Sequence, residues 1–208
     1  MTEQQILQIP ELTTTQNSIQ ETVLKNVVLV GNRIPKDFFI TSGIGESDIT
    51  IHAGSYHLAL KSAGIEGYNH ITYSSILPPI ANEIAKPESY VHGSVMESIT
   101  AVANSKKWER ATAAIIFGWL FNKKTGEKFG GLVCEYNGHD TRERAEESLR
   151  ASLNELYENG FSEEYTLEGI KFISRSFIPH REYGTALVAL CFTSYAYPIT
   201  LGTHVVNN

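Results

Sequence analysis

The two consecutive prolines at 78 and 79 limit what this chain can build more than any other pair of its residues. Neither can donate a backbone hydrogen bond, so an extended run that reaches them must stop there. The run that does so is Ile71, Thr72 and Tyr73, β-branched and aromatic residues that read as a short strand. Ser74 and Ser75 lie between the strand and its stop, two hydroxyls held against a stiff turn. A Ser75 hydroxyl pressed on the Ser74 carbonyl can attack it and convert the amide to an ester. β-Elimination of that ester leaves dehydroalanine, and hydrolysis leaves a pyruvoyl group on a new N-terminus at position 75. The same pair also reads as ordinary turn residues that satisfy local backbone groups, and spacing does not choose between the two.

The rest of the composition narrows the partners. A chain of 208 residues suits one domain with a sizeable core, because a chain of this size buries about 70% of its unfolded surface. Its net charge of -6 comes without a basic patch, and the pairs Lys106-Lys107 and Lys123-Lys124 read as solvated loop ends, so no nucleic-acid partner is expected. No apolar run approaches the roughly 20 residues of a membrane span. The N-terminus, with Glu3, Gln4 and Gln5, lacks the basic and apolar regions of a signal peptide, and a cytoplasmic location is expected. Cys134 and Cys191 lie in apolar runs, where a free thiol behaves as a small buried hydrophobe. The seven histidines form no HxxxH or HExxH pair, so no metal is expected.

Taken in order, residues 1–33 form a polar N-terminal extension, within which 19–30 is amphipathic and either helical or a strand docking on a neighbour. Residues 34–208 read as a single domain. A strand over 38–41 leads into Gly43-Ile44-Gly45, which reads as a tight loop needing positive φ. Residues 56–63 are helix-like, with Gly64 as C-cap. The apolar run 113–121 and the run 129–136 form a hairpin around a turn at 123–127. Period-2 alternation puts Leu132, Cys134 and Tyr136 on one face of the second arm and Val133 and Glu135 on the other. Taken alone, Glu135 is a solvated strand carboxylate. Asp140, with Glu143 three residues on, opens the clearest helix, whose buried stripe is Ala145, Leu149, Leu153, Leu156 and Tyr157. Strands over 166–178 and 185–195 complete the set, with His180 and Arg181 in a surface loop between them. The count is six or seven strands and two main helices, an α+β chain of mixed sheets flanked by helices.

Several of these segments together resemble one family. Ala63-Gly64-Ile65, then Asn69, then Ser74-Ser75-Ile76-Leu77-Pro78-Pro79 is similar to the self-processing segment of the pyruvoyl-dependent arginine decarboxylases. Gly43-Ile44-Gly45-Glu46-Ser47-Asp48, His92-Gly93-Ser94-Val95-Met96-Glu97 and Gly131-Leu132-Val133-Cys134-Glu135-Tyr136 fall in the family's order, so the resemblance covers roughly residues 34–193. It implies a layered αββα sandwich of mixed sheets, self-cleaved between Ser74 and Ser75 and assembled as trimers with active sites between subunits. By the same resemblance Ser75 is the pyruvoyl precursor, Asn69 assists the acyl shift, and Ser74 stays near the pocket as the new C-terminus. Glu135 is the acid that returns a proton to the substrate carbon, and Glu46 and Asp48 lie on a segment leading toward the substrate. The implied reaction is decarboxylation of arginine, a small amino acid substrate, to agmatine, a polyamine precursor. It runs through a Schiff base on the pyruvoyl group and needs no metal.

At one position the chain departs from the pattern. Family members carry an aspartate after the aromatic residue of the 56–63 helix, where it pairs with the substrate guanidinium, and this chain has His57 there. An imidazole cannot replace a bidentate carboxylate. Either another acid serves, or the same chemistry acts on a different amino acid. A third expectation is an unprocessed, non-catalytic homologue acting as an assembly subunit.

Overall fold

Six long strands supply most of the chain's backbone pairing, and their alternation gives each sheet two apolar faces to cover. The computed structural model describes residues 31–198. Ile34–Ala196 forms one compact unit. The amphipathic 19–30 piece lies outside the described residues. The elements of the main unit run β1 (Ile34–Pro35), β2 (Asp37–Ser47), α1 (His57–Ala63), β3 (Asn69–Thr72), β4 (Ile76–Leu77), β5 (Asn82–Glu83) and β6 (Val95–Lys106). There follow β7 (Ala111–Asn122), β8 (Lys128–Gly138), α2 (Arg142–Gly160), β9 (Tyr165–Phe177), β10 (Tyr183–Phe192) and β11 (Tyr195–Ala196).

One sheet has the order β3-β6-β10-β2-β5, the other β4-β8-β7-β9, and β1 pairs with β11. β10 runs antiparallel to both β6 and β2, whereas the edge strands β3 and β5 pair in parallel, so the five-stranded sheet is mixed. Residues of both sheets meet in a central cluster that includes Phe38, Leu77, Ile99, Ile115, Phe117, Val133, Val188 and Phe192. The outer face of the five-stranded sheet packs Phe39, Met96, Leu187 and Cys191 on Ala59, Leu60 and Ala63 of α1. The outer face of the four-stranded sheet packs Ile116, Leu120, Leu132 and Cys134 on Ala145, Leu149 and Leu153 of α2. The layers are helix, sheet, sheet, helix.

Two expectations are corrected. Gly43-Ile44-Gly45 is no loop, since β2 runs straight through it and pairs with β10 as far as Ser47 opposite Tyr183. Its glycines permit close approach instead: a Cβ on Gly43 would lie 2.1 Å from the Ala59 carbonyl oxygen, and one on Gly45 2.2 Å from that of Ser55. Those carbonyls belong to α1 and to the wide π-helical turn Ile51–Tyr56 before it, so the bare backbone is what lets the helix settle on the strand. The cap of α2 also moves by one residue. Thr141 Oγ1 accepts the Arg144 N–H at 3.4 Å, while Asp140 accepts the Tyr136 hydroxyl at 2.7 Å. Gly64 caps α1 in the left-handed conformation, φ 64°.

Candidate active site

The Ser74-Ser75 peptide is where the chain passes from one sheet to the other. Upstream, β3 is paired with β6, and the Tyr73 N–H continues the pairing by donating to the Ser98 carbonyl at 2.8 Å. Downstream, the Ser75 carbonyl accepts the Val133 N–H at 3.1 Å, and β4 pairs with β8, Ile76 opposite Leu132 and Leu77 opposite Gly131. Residue 73 is therefore fixed to the five-stranded sheet and residue 75 to the four-stranded one. Ser74 between them is exposed.

The seat for β4 is made of glycine. A Cβ on Gly130 would lie 2.7 Å from the Leu77 carbonyl oxygen, and one on Gly131 would lie 3.2 Å from Leu77 Cβ. Real Cβ atoms do not approach backbone oxygen as closely as the first of these, so β4 could not lie on β8 with a side chain at 130.

Alternation along β8 supplies the acid. Val133 faces the core between the sheets, and Glu135, two residues on, shares that face at its half-buried margin. The Ser75 hydroxyl donates to this carboxylate, with both oxygens 2.8 Å from Oγ. Cys134 lies on the opposite face under α2, where burial, reinforced by the negative charge of Glu135, pushes its thiol up to about 11.

The Ser74 carbonyl has a donor of its own. The Ile76 N–H donates to the Ser74 carbonyl oxygen at 3.0 Å, closing a three-residue turn centred on Ser75. Among the described non-glycine residues only Trp108 has positive φ, so this is the lower-energy inverse form of the turn. A hydroxyl, a carboxylate able to take its proton and a polarised carbonyl thus converge on one peptide bond. That is the equipment of an intramolecular acyl shift.

Ser74, Ser75 and Glu135 are brought together; the other residues picked out from the sequence are elsewhere in the protomer. Asn69 Nδ2 donates to the Gly93 carbonyl at 2.6 Å at the start of β3, five residues of extended chain from Ser74, or about 16 Å. Glu46 accepts the His180 N–H at 2.7 Å, while Asp48 accepts the Glu182 N–H at 3.3 Å and lies 3.8 Å from the Arg181 guanidinium. Ser98, beside Tyr73, aligns through Cys191 with Phe39, so Glu46 is seven residues farther along β2, about 23 Å away. His57 is exposed at the start of α1, on the outer layer.

Two polar side chains at this segment, Tyr73 and Glu97, and one on the loop after α1, Glu66, were not singled out from the sequence. The Tyr73 hydroxyl donates to Glu97 Oε2 at 2.5 Å, and Glu97 is only 2% exposed. The signal was present, since Glu97 is the one acid on a strand face that continues as Ile99, Ala101 and Ala103. Glu66, on the loop after α1, has an oxygen, Oε2, that is sealed from solvent and accepts no hydrogen bond among the described residues. Also among the described residues, no group of three or more His, Cys, Asp or Glu side chains is arranged to hold a metal. No described helix is long and apolar enough to cross a membrane.

Comparison with known proteins bears on this geometry directly. The family model for pyruvoyl-dependent arginine decarboxylase matches residues 37–197, which include both sheets, the crossing peptide and Glu135. The chain belongs to the pyruvoyl-dependent arginine decarboxylase family. Relatives in that family include the Methanopyrus kandleri protein, 40% identical over 123 residues that cover 59% of this chain and 75% of that one. The protein of Methanocella arvoryzae is 33% identical over 115 residues, 54% of this chain and 68% of its own. Pyruvoyl-dependent arginine decarboxylase AaxB of Chlamydia abortus is 29% identical over 195 residues, 82% of this chain and 98% of its own. The family is one of carboxy-lyases that depend on a pyruvoyl group.

Proposed function

We propose that this chain cleaves itself between Ser74 and Ser75 and then decarboxylates arginine to agmatine and carbon dioxide. The observation that carries the proposal is the Ser75 hydroxyl held 2.8 Å from both oxygens of Glu135, beside a Ser74 carbonyl polarised by the Ile76 N–H. Glu135 takes the Oγ proton as Oγ attacks the Ser74 carbonyl carbon, and the Ile76 N–H bears the developing oxyanion. The nitrogen of Ser75 leaves the tetrahedral centre carrying a proton, which the Glu135 carboxylic acid can supply, and the link is now an ester. Loss of the Ser75 α-proton expels the Ser74 carboxylate. Water then replaces ammonia at position 75, so the balance is one water consumed and one ammonia released per chain.

The residues fit a pyruvoyl group at 75: its backbone stays tied to Val133, and Glu135 stays on the side where Oγ was. When formed, that group supplies a carbonyl sink for the electrons freed as carbon dioxide leaves. Glu135 then delivers the proton to the substrate α-carbon. Ser74, as a C-terminal carboxylate still anchored through Tyr73, lines the site.

The remaining contacts come from a second copy. One protomer separates Ser75 from Asn69 and Glu46 by about 16 Å or more, and His57 lies on the outer helical layer, which supports a homotrimer with sites between subunits. The exposed apolar side chains Ile71 and Ile76 on either side of the crossing, with Val95 farther along the same edge, support the same assembly. With histidine at 57, the guanidinium needs another acid, and Glu46 and Asp48, on the segment that leads toward the substrate in the family, are the candidates. His57 also favours a second reading, the same chemistry on an amino acid without a guanidinium.

The test is carbon dioxide and amine release from arginine and from its uncharged analogue citrulline. Turnover of arginine with little of citrulline supports the first reading. Preference for an uncharged side chain supports the second, and no release from any amino acid by a fully cleaved protein contradicts both.

A further inference from the structure

The crossing peptide is held on both sides, and only the downstream hold is explained by the chemistry described so far. Upstream, Tyr73 is tied to the five-stranded sheet through its N–H on the Ser98 carbonyl at 2.8 Å and through its hydroxyl on Glu97 Oε2 at 2.5 Å. Its ring packs against Phe192, with centroids 5.7 Å apart, which fixes the plane of the side chain. Glu97 is itself 2% exposed, on the inner face of β6 next to Ile99. Burying a carboxyl group among apolar neighbours is costly, and an apolar pair of the same volume would hold the layers together at least as well. An apolar pair would not, however, fix a direction. The hydrogen bond orients Tyr73, and the next two residues are the ones that react.

Ser74 is the single residue between the two anchors. With 73 tied to one sheet and 75 to the other, little freedom remains to the Ser74 carbonyl, and its oxygen sits on the Ile76 N–H. If the Tyr73 side chain swings, the Ser74 ψ angle relaxes and the carbonyl turns away from Ser75 Oγ. Intramolecular attack is highly sensitive to such displacement, because its advantage lies in the reacting atoms being held close and aligned.

From this we infer that Tyr73 and Glu97 are positioning residues for self-processing: their buried hydrogen bond is the upstream clamp that holds the Ser74 carbonyl in reach of the Ser75 hydroxyl. Neither touches the bond that breaks. The clamp acts before the pyruvoyl group exists, and the inference rests on the self-processing proposed above.

The experiment follows the appearance of the 75–208 fragment by intact mass in freshly made full-length chains. Tyr73→Phe keeps the ring and its packing and removes only the hydroxyl. Glu97→Gln keeps an oxygen that can accept from Tyr73, and Glu97→Ala does not. The clamp predicts cleavage slowed at least about tenfold in Tyr73→Phe and Glu97→Ala, with Glu97→Gln within about threefold of the wild type. Each substitution is also placed in the uncleavable Ser75→Ala chain, where melting temperature reports stability free of processing. Slow cleavage with an unchanged melting temperature supports the clamp. Cleavage at the wild-type rate overturns it, and so does a rate that falls only in step with the melting temperature, since that is a plain structural role. A wild-type chain that never cleaves instead overturns the self-processing on which the inference rests.

Discussion

Glu135 is asked to act twice in the proposed reaction, first on its own chain and then on the substrate, and both acts follow from a carboxylate 2.8 Å from Ser75 Oγ. Glu135→Gln keeps the shape and loses the proton transfer. Cleavage followed by mass, and carbon dioxide release by whatever fraction matures, are each expected to fall by about 10²–10⁴-fold. An unchanged cleavage rate would limit Glu135 to the second act. The two cysteines are expected to be inert: both are buried, with thiols pushed up by burial to about 11 for Cys134 and about 12 for Cys191. A thiol-specific chromogenic reagent at pH 8 should therefore label neither in the native protein and both after denaturation, and rapid native labelling would contradict this packing. At this scale the sequence was informative where a residue's role depends on its own strand. Alternation along β8 was enough to put Glu135 on the face of Val133. It could not show that Ser75 would lie across that strand, because the contact depends on a pairing between residues 60 positions apart. Glu97 was passed over because a single acid in a strand reads as solvated until the facing layer is known.

Glycines decide how the elements meet. In β2 the pair Gly43 and Gly45 reads locally as a turn, yet both lie in extended backbone under α1. Local propensity could not reveal this, since the demand comes from a helix packed on the strand and not from the strand's own dihedral angles. Gly43→Ala would push a methyl group into the Ala59 carbonyl and cost about 1–3 kcal/mol, lowering the melting temperature by about 5 °C; an unchanged temperature would show that α1 does not depend on the contact. Gly130→Ala tests the site rather than the core. Its methyl group would displace the Leu77 carbonyl, lift β4 from β8 and draw Ser75 away from Glu135, so cleavage should slow far more than stability falls. The hairpin of β7 and β8 and the apolar stripe of α2 through Ala145, Leu149 and Leu153 were legible beforehand because each is a local period, of 2 or of 3.6 residues, with turn or cap residues at its ends; Leu156, read into the same stripe, is exposed, because the helix reaches past the edge of the sheet it covers.

For the molecule as a whole, the unit Ile34–Ala196 encloses all the residues of the proposed processing step but spreads the remaining candidate residues along its length. Light scattering of the purified protein should give three times the mass of one chain. Ile71→Asp, on the exposed edge strand β3, should lower that mass and the arginine decarboxylase rate together; a fully active monomer would contradict sites between subunits. The layered fold was readable only through the family resemblance, because the strand periods fix the faces of each strand without fixing which strands are neighbours.

The most direct test of self-cleavage is the intact mass of the purified protein under denaturing conditions. Two fragments, 1–74 and 75–208, are expected, the second lighter by one ammonia than a hydrolysed chain and blocked to N-terminal sequencing. A single uncut chain that persists through prolonged incubation would contradict the account and leave a family member that does not mature.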